Sequence, residues 1–346
     1  MIEVENKIRQ KDLEEIANSE IIKEFNNRTV LISGATGLIG SEIVLSLLCA
    51  NRLKNLNIKV IALIRNYEKA KEIYFNVIND KNLSFVIQDI NEEIRCDFDV
   101  DYIIHTASVT ASSEMIKNPS KCAFTTLNGT KNILELAKKK NVKSLCYLSS
   151  IEIYGTNTPI DVKENDYGVL DSTNIRNSYP ISKKLAENLC VSYWKEYGIN
   201  TKIARLTQTF GAGISENENR VFAQFAKSIV ENKDIILHTD GSSAKNYCYL
   251  TDTVIGIFKI LMNGKTGEAY NVANQESYIS IKDLAEFLCK EYNKSKVIYD
   301  IDNTKGYANS VKIKLNSEKL ELLDWEAKVD LKEMFERLIN SLKEDM

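Results

Sequence analysis

The sequence predicts an α/β protein with a doubly wound parallel sheet followed by a smaller C-terminal α/β lobe. Three observations predict this class. Short apolar runs alternate with helical segments from residue 29 to about residue 206, and a glycine-rich turn follows the first run. Beyond residue 206 the alternation gives way to helices, short strands and loops. Regular alternation of strands and helices is typical of a parallel sheet covered by helices.

Composition limits the class of partner. The chain has 346 residues, of which 44% are hydrophobic and 27% charged, which is enough for a large core. Its formal net charge is -3, with both signs interspersed, so we expect no nucleic-acid or anionic-membrane partner and predict a small-molecule one. Seven cysteines are scattered singly among only two histidines, which favours buried thiols and no metal site.

The first 28 residues are predicted to form a helical extension. The stretch "KDLEEIANSEIIKEFN" spaces apolar residues at helical intervals over 11–26. The amino terminus is too charged for a signal peptide, and no apolar run approaches the roughly 20 residues that a membrane span needs. We therefore expect a cytoplasmic protein.

Six apolar runs in order predict the strands of the main domain, which we assign to residues 29–206. These runs are "TVLISG", "KVIALIR", "LSFVIQD", "VDYIIHTAS", "KSLCYLSS" and "TKIARLT". Residues 207–346 are assigned to the second lobe, with some segments returning to the first domain. The lobe ends in the helical pattern "DLKEMFERLINSLKED".

The turn after the first strand carries a dinucleotide signature. "LISGATGLIGSEIV" places Gly34, Gly37 and Gly40 between a strand and a helix. In that context glycines permit a tight turn and close backbone approach, and the helix amino terminus offers N–H groups to a pyrophosphate. The sequence therefore predicts a Rossmann-type domain that binds NAD or NADP, with Thr36, Leu38 and Ile39 also in the cofactor loop.

Two residues on the next strands bear on the cofactor. Arg65 follows the second strand, where a dinucleotide fold usually carries an acidic residue for the adenosine ribose. A guanidinium suits a 2′-phosphate, so Arg65 favours NADP, although a solvated arginine would look the same. Asp89 follows the third strand, where it is placed to accept a hydrogen bond from the adenine amino group.

A tyrosine and a lysine are predicted to share one face of a helix. In "NSYPISKKLAEN", Tyr179 and Lys183 are spaced i and i+4. A lysine ammonium one turn away favours the phenolate, so Tyr179 is predicted to exchange a proton with a substrate hydroxyl. Upstream, "YLSSIEIYG" delivers Ser149, Ser150 and Glu152 to the carboxyl edge of the sheet, where ligands bind.

Together these motifs resemble the extended short-chain dehydrogenase/reductase family, in its NAD-dependent epimerase/dehydratase branch that acts on nucleotide sugars. The resemblance spans roughly residues 29–340. It implies that Ser150, Tyr179 and Lys183 form a catalytic triad assisted by Glu152, and that the second lobe binds the nucleotide sugar.

The resemblance also implies roles for residues outside the triad. Asp89 and Ile90 would border the adenine, and Thr106, Ala107 and Ser108 of "HTAS" would line the cofactor. Asn128 of "LNGTKNILELA" would buttress the active site. The residues assigned to substrate are Ser149, Gln208, Arg220 and Lys245. Gln208 stands where the family usually has asparagine, and Lys245 where it has a phosphate-binding arginine, and a lysine cannot make the bidentate contact.

The chemistry implied by the resemblance is oxidation of a sugar carbon to a transient ketone. Epimerases, 4,6-dehydratases and decarboxylases differ in the fate of that ketone. Family dehydratases carry Asp then Glu after the catalytic hydroxyl, whereas this chain has Ile151 then Glu152. Isoleucine argues against simple dehydration, and the retained glutamate resembles decarboxylases. An epimerase or a decarboxylase is therefore expected.

Two other functions remain open at the level of sequence. Arg65 is compatible with an NADP-dependent keto-sugar reductase, which would exchange its cofactor at each turnover. A non-catalytic, redox-sensing dinucleotide-binding protein would need only the glycine loop, and the set of Ser150, Tyr179 and Lys183 argues against it. Finally, apolar residues on the helices predicted near 119–140 and 179–197 favour a homodimer joined by a four-helix bundle.

Overall fold

The computed structural model describes residues 2–109, 112–293, 295–301 and 310–346. Eleven α-helices lie within these ranges: α1 Lys7–Asn18, α2 Leu38–Lys54, α3 Tyr67–Ile73, α4 Ser112–Lys117, α5 Pro119–Lys140, α6 Ser178–Tyr197, α7 Val221–Val230, α8 Leu250–Asn263, α9 Ile281–Tyr292, α10 Glu318–Glu321 and α11 Leu331–Glu344.

The same ranges contain fourteen strands. They are β1 Thr29–Ser33, β2 Lys59–Ile64, β3 Leu83–Ile87, β4 Tyr102–His105, β5 Ser144–Ser150, β6 Asp161–Val162, β7 Thr201–Leu206, β8 Gln208–Phe210, β9 Ile235–Leu237, β10 Ala244–Tyr249, β11 Ala269–Val272, β12 Asn274–Ser280, β13 Val297–Tyr299 and β14 Lys312–Leu315. All six strands predicted before residue 206 are present.

Seven parallel strands form the main sheet, in the order β11-β7-β5-β4-β1-β2-β3. Chain order reverses between the neighbouring strands β1 and β4. The carboxyl ends of these two strands are therefore the topological switch point, where such sheets bind ligands. The predicted doubly wound α/β class is confirmed. β11 comes from beyond residue 206 and pairs with β7, so part of the C-terminal region lies in the main sheet.

Alternate residues of the strands pack against helices on opposite faces. On β1, Val30 and Ile32 belong to a core that includes α2 and α8, whereas Leu31 belongs to a core that includes α5 and α6. Because strand side chains alternate in direction, a strand covered on both faces is apolar throughout. This explains why the predicted strands read as continuous apolar runs.

A second, five-stranded sheet lies in the C-terminal lobe. Its path is β12-β10-β14-β6, and β8 pairs with β10. Its strand β6 comes from the segment between β5 and α6, so residues that precede α6 contact the C-terminal lobe. A separate aromatic core in this lobe stacks Phe210 on Phe222.

The N-terminal extension differs from its predicted form. One helix was expected over 11–26, but α1 ends at Asn18 and a 3-10 turn follows over Glu20–Phe25. Ser19 interrupts the helix with extended backbone, and its hydroxyl donates to the carbonyl oxygen of Ile16. This interruption lets Leu13 and Phe25 both enter the core beneath α2 and α8.

Candidate active site

The glycine turn adopts the conformation that a phosphate-binding loop requires. Gly34 has a φ of +67°, and a Cβ there would lie 2.7 Å from the Cα of Ala107. A Cβ on Gly40 would collide with the carbonyl oxygen of Gly34. The two glycines therefore hold β1, the loop after β4 and the first turn of α2 in close contact.

The first turn of α2 is open to an anion. Gly37 precedes the helix and supplies no side chain to cap it, so the first-turn N–H groups keep their capacity to donate. The helix dipole adds positive potential at this end. Thr36, Leu38 and Ile39 are all partly exposed here. The glycine loop and this helix terminus fit the pyrophosphate of a dinucleotide.

The strand ends beside the loop carry the residues assigned to adenosine. Arg65 is exposed directly after β2, and Asp89 is exposed just beyond β3. Asp89 accepts hydrogen bonds from the backbone and side-chain nitrogens of Asn91, at 2.9 and 2.8 Å. The carbonyl oxygen of Ile90 accepts from Asn132 at 2.9 Å. The positions of Arg65, Asp89 and Ile90 are compatible with their predicted roles.

The "HTAS" segment joins the cofactor loop to the sheet. Thr106 Oγ1 donates to the carbonyl oxygen of Ser33 at 2.6 Å, and the Ala107 N–H reaches Ser33 Oγ at 3.4 Å. His105 is buried with its ring between Ser33 Oγ and Thr130 Oγ1. Burial, and secondarily the Lys183 charge, lower the pKa of His105 to about 3, so its imidazole is neutral.

Tyr179 and Lys183 lie one turn apart near the start of α6, as the sequence predicts. Both are nearly buried, at 7% and 3% exposure. Lys183 Nζ donates to the carbonyl oxygen of Leu148 at 2.7 Å and lies 5.8 Å from the centroid of the Tyr179 ring. Anchoring on β5 therefore fixes the ammonium on the phenol's side of the helix.

Burial sets the acidity of this pair. It lowers the pKa of Lys183 to about 8, an effect that the carboxylate of Glu187 opposes. It also raises the pKa of Tyr179 above its ordinary value, and the negative charge of Glu152 adds to the increase. The hydroxyls of Ser150 and Ser108 act in the opposite direction on the pKa of Tyr179, because they lie near its phenol. Burial therefore acts against the phenolate that the Lys183 ammonium is predicted to favour.

The hydroxyls beside the phenol differ in their bonding. Ser150 Oγ accepts from the N–H of Glu152 at 3.2 Å and is only partly buried. Ser108 Oγ is buried and makes no regular hydrogen bond to the described residues, so its proximity to the phenol is an electrostatic influence rather than an aligned bond. Ser150 Oγ, on a partly exposed residue, retains the capacity to bind a reacting oxygen.

Glu152 forms an ion pair that sequence reasoning missed. Its carboxylate lies 3.2 Å from Arg176 Nη1, and both side chains remain about one-third exposed. Arg176 belongs to the 3-10 turn Ile175–Asn177, immediately before α6. A cation three residues before Tyr179 was visible in the sequence, but nothing there indicated its partner.

A second cation, on a strand of the other lobe, is subject to the charge of the same carboxylate. Lys245 lies on β10, and burial lowers its pKa, while the charges of Glu152 and Arg176 act on it in opposite directions. Lys245, Arg176 and Glu152 thus act on one another electrostatically, and the charge of Glu152 also acts on Tyr179. Gln208, on the adjacent strand β8, pairs with Tyr247 and is partly exposed.

Two predicted site residues, Asn128 and Ser149, lie elsewhere than expected. Asn128 is exposed on α5 one turn from Phe124, so it does not buttress the site, because helical geometry turns Thr126 and Thr130 inward instead. The Ser149 hydroxyl is shut off from the surface, beside Arg205 of β7. Arg220 forms a bidentate pair with Glu218, at 3.0 and 2.6 Å, and its side chain stays about one-third exposed, so its role toward the substrate stays a prediction.

The described ranges contain neither a metal-binding cluster nor a helix suited to a membrane. No three His, Cys, Asp or Glu side chains in these ranges come together as a group that could hold a metal ion. Nor does any helix in them combine the length and apolar character needed to cross a membrane.

Residues 30–273 match the model of the NAD dependent epimerase/dehydratase family, over more than half of the chain. The chain belongs to this family. The match begins at β1 and therefore excludes α1, and it contains the glycine loop, Ser150, Tyr179 and Lys183. The protein is accordingly an enzyme of the epimerase/dehydratase type, as its sequence motifs predict.

Similar proteins include enzymes of several reactions. UDP-glucuronic acid decarboxylase 3 of Arabidopsis thaliana is 28% identical over 307 residues, which cover 89% of this chain and 86% of that protein. The structure of a UDP-N-acetylglucosamine 4-epimerase from Methanobrevibacter ruminantium has a TM-score of 0.78 at 20% identity, covering 92% and 99% of the two chains. A dTDP-glucose 4,6-dehydratase from Bacillus anthracis, in complex with NAD, has a TM-score of 0.75 at 21% identity, covering 92% and 97%.

Proposed function

We propose that this enzyme uses NAD to oxidise a nucleotide-linked uronic acid at C4 and then releases its carboxyl group as carbon dioxide. One observation carries the choice of substrate: the Arg176 guanidinium pairs with Glu152, whose charge acts on Tyr179, and the charges of Glu152 and Arg176 also act on the Lys245 ammonium. The similarity to UDP-glucuronic acid decarboxylases over 89% of the chain supports the same substrate class.

The two cations, Arg176 and Lys245, suit a sugar that carries a carboxylate as well as a diphosphate. Arg176 offers a planar fork that matches a carboxylate, whereas Lys245 is a point charge suited to either anionic group. A neutral hexose would give Arg176 no second partner besides Glu152. The ion pair with Glu152 holds Arg176 in place and partly exposed, where an incoming carboxylate reaches it.

Oxidation needs a proton acceptor at the reacting oxygen. Tyr179 takes the proton of the C4 hydroxyl, and Ser150 holds the same oxygen by a hydrogen bond. When bound, NAD would supply the hydride acceptor for C4 and a positive nicotinamide ring that would help to offset the burial of the phenol. Lys183 is mainly protonated at pH 7 and adds its charge on the same side.

The ketone at C4 makes the substrate a β-keto acid. Cleavage of the C5–C6 bond releases carbon dioxide and leaves its electron pair on C5, delocalised onto the C4 oxygen as an enolate. Hydrogen bonds from Tyr179 and Ser150 to that oxygen stabilise the developing charge. A proton then adds to C5. Return of the hydride to C4, with Tyr179 giving its proton back to the C4 oxygen, restores the hydroxyl, so the net change is loss of carbon dioxide.

Residue 151 supports loss of carbon dioxide rather than water. Ile151 is 3% exposed and cannot protonate a leaving hydroxyl. Glu152 retains a carboxylate close to the reacting groups. Its negative charge disfavours the substrate's carboxylate nearby, and loss of that substrate carboxylate as neutral carbon dioxide removes the repulsion.

Further features of the enzyme belong to the same proposal. Arg65 is exposed where a 2′-phosphate would lie, so NADP is proposed as an accepted cofactor beside NAD. Phe124 of α5 and Leu185 of α6 are 62% and 46% exposed on two helices that pack together, which supports a homodimer through these helices. We also propose residues 29–206 as the cofactor domain, residues 207–346 as the substrate lobe, and a cytoplasmic location.

The test is incubation of the purified enzyme, with NAD, with UDP-glucuronate, UDP-galacturonate, UDP-glucose and UDP-N-acetylglucosamine, followed by chromatography and mass spectrometry. We expect a uronate to lose the mass of carbon dioxide. Formation of a uronate isomer of unchanged mass would mean that the reaction is 4-epimerisation and not decarboxylation. Conversion of UDP-glucose alone, by isomerisation or loss of water, would overturn the proposed substrate class.

A further inference from the structure

A buried ion pair lies directly behind the catalytic helix. Glu187 follows Lys183 by one turn of α6, and Arg205 lies on β7. Arg205 Nη2 donates to Glu187 Oε2 at 2.7 Å, and Nε donates to Oε1 at 3.1 Å. The two residues are only 7% and 6% exposed. Neither contributed to the site predicted from sequence.

The remaining arm of Arg205 reaches two other segments. Nη1 donates to the hydroxyl of Tyr154 at 3.0 Å and to the carbonyl oxygen of Glu164 at 2.8 Å. The Tyr154 hydroxyl in turn donates to Asn271 Oδ1 at 2.6 Å. One guanidinium thus connects α6, β7 and the turn Ile151–Tyr154 to the segment that precedes Arg176.

This buried ion pair is expected to fix the relative positions of the segments it joins and to add little to the free energy of unfolding. The desolvation of two buried charges consumes most of their mutual attraction, and buried pairs are often replaceable by apolar residues without loss of stability. A rigid fork that satisfies four acceptors at once instead fixes the relative positions of the segments that carry them. Those segments hold Glu152 and Lys183.

Among the groups that influence the pKa of Lys183, one is a carboxylate, that of Glu187. From α6 it is faced by Tyr179, Glu187 and Cys190, and from α5 by Cys122. From β5 it meets the Tyr147 ring at 4.8 Å and the Leu148 carbonyl oxygen, and from β4 the neutral His105. Glu187 is therefore the nearby acidic group that opposes the burial of the ammonium.

We propose that Glu187 and Arg205 are positioning residues: Glu187 supplies the counter-charge of the Lys183 ammonium, and Arg205 fixes the turn that carries Glu152. The proposal rests on the proposed roles of Lys183 and Glu152 in the reaction. Neither Glu187 nor Arg205 contacts the substrate in this arrangement. Glu187 acts through Lys183 and Arg205 acts through Glu152, and a separate experiment measures each effect.

The first arm titrates Lys183 in the enzyme with NAD bound, by NMR of 13Cε-labelled lysine, with its signal assigned through Lys183→Arg. Glu187→Gln keeps the shape of the side chain and one acceptor oxygen for Arg205 but removes the charge. We expect the pKa of Lys183 to fall by about one unit. Glu196→Gln, exposed on the same helix, is the control and should change nothing. An unchanged Lys183 titration in Glu187→Gln overturns the role of Glu187.

The second arm measures turnover of Arg205→Lys, which keeps the charge but loses the fork. We expect kcat to fall at least about tenfold while NAD affinity and the Lys183 titration stay unchanged. If this variant does not fold, Tyr154→Phe removes the hydroxyl that Arg205 holds and should lower kcat in the same direction. A lower melting temperature with kcat unchanged would mean a structural role only, and would overturn the role of Arg205.

The two arms also separate this inference from the proposed reaction. The NMR titration needs no substrate, so it decides the role of Glu187 even if the wild type converts no uronate. Turnover is measured with whichever nucleotide sugar the wild type converts. Failure of the uronate assignment therefore leaves both tests intact.

Discussion

Arg176 and Glu152 meet across the candidate site, with Nη1 3.2 Å from Oε2, although 24 positions separate them in the chain. Arg176 also lies 3.8 Å from the sulfur of Met115, which supports its side chain from α4. The guanidinium is thus held at the site while part of it stays exposed. This arrangement leads to the first prediction, on substrate charge.

Arg176→Met should lower kcat/KM for a nucleotide uronate by roughly ten- to hundredfold, since a hydrogen bond to a charged group contributes about 1.5–3 kcal/mol. Binding of UDP-glucose, which lacks the carboxylate, should change little. Steady-state kinetics with UDP-glucose as competing ligand measures both. Lys163→Met, which removes an exposed ion pair with Glu318, is the control. Equal losses for the two sugars would refute the carboxylate contact.

Tyr179→Phe should nearly abolish turnover while the enzyme still binds NAD, because the change removes the proton-transfer group and little volume. Tyr197→Phe, exposed on the same helix, is the matched control and should keep full activity. Product formation and NAD titration provide the two measurements. Turnover within a few-fold of wild type would exclude Tyr179 as the proton acceptor.

Lys183→Met should abolish activity yet stabilise the apoprotein at pH 7. Burial lowers the pKa of Lys183 from 10.5 to about 8. Holding the ammonium in the folded state below pH 8 therefore costs about 3 kcal/mol, of which about 1 is offset by the hydrogen bond to Leu148. The net gain expected for Lys183→Met is about 2 kcal/mol at pH 7.

This gain should shrink as the pH rises. Between about pH 8 and 10.5 the unfolded chain binds more protons at Lys183 than the native chain does, so wild-type stability increases with pH across that window. Urea unfolding of wild type and variant at pH 7 and pH 10 checks the sign. A variant that is less stable than wild type by the same amount at both pH values would contradict desolvation of the ammonium as the cause.

Arg65→Ala should weaken NADP roughly ten- to hundredfold more than NAD, since only NADP offers a 2′-phosphate for a charge-assisted contact. Calorimetric titration of both dinucleotides into wild type and variant, after removal of any bound cofactor, measures this difference. Small and equal changes would assign Arg65 to a solvated position at the end of β2 and leave NAD as the cofactor.

Phe124→Glu together with Leu185→Glu should convert a dimer into a monomer, because both side chains are exposed on helices that pack together. Phe75→Glu is a matched control, since Phe75 is 77% exposed outside α5 and α6. Light scattering at micromolar concentration gives the mass. A monomeric wild type, or a dimeric double variant, would exclude this interface.

Local sequence pattern was sufficient for the sheet and for the chemistry that lies within one segment. Strands buried on both faces read as apolar runs, so β1 to β5 and β7 were predictable. The glycines between β1 and α2 and the pair Tyr179 and Lys183 depend on backbone turns and helical periodicity, which are short-range properties. Helical periodicity also excludes Asn128 from the inward face, where Thr126 lies.

Contacts between segments were decided only by tertiary structure. Arg176, Glu152 and Lys245 come from three separate elements, and Arg205 reaches Glu187 and Tyr154 across the sheet face. Which charges meet depends on the paths of the intervening loops and on how the lobe around β10 packs against the main sheet. Burial then changes the chemistry itself, raising the pKa of Tyr179 and lowering that of Lys183. Desolvation is a property of the whole packed environment, so no local spacing of residues encodes it.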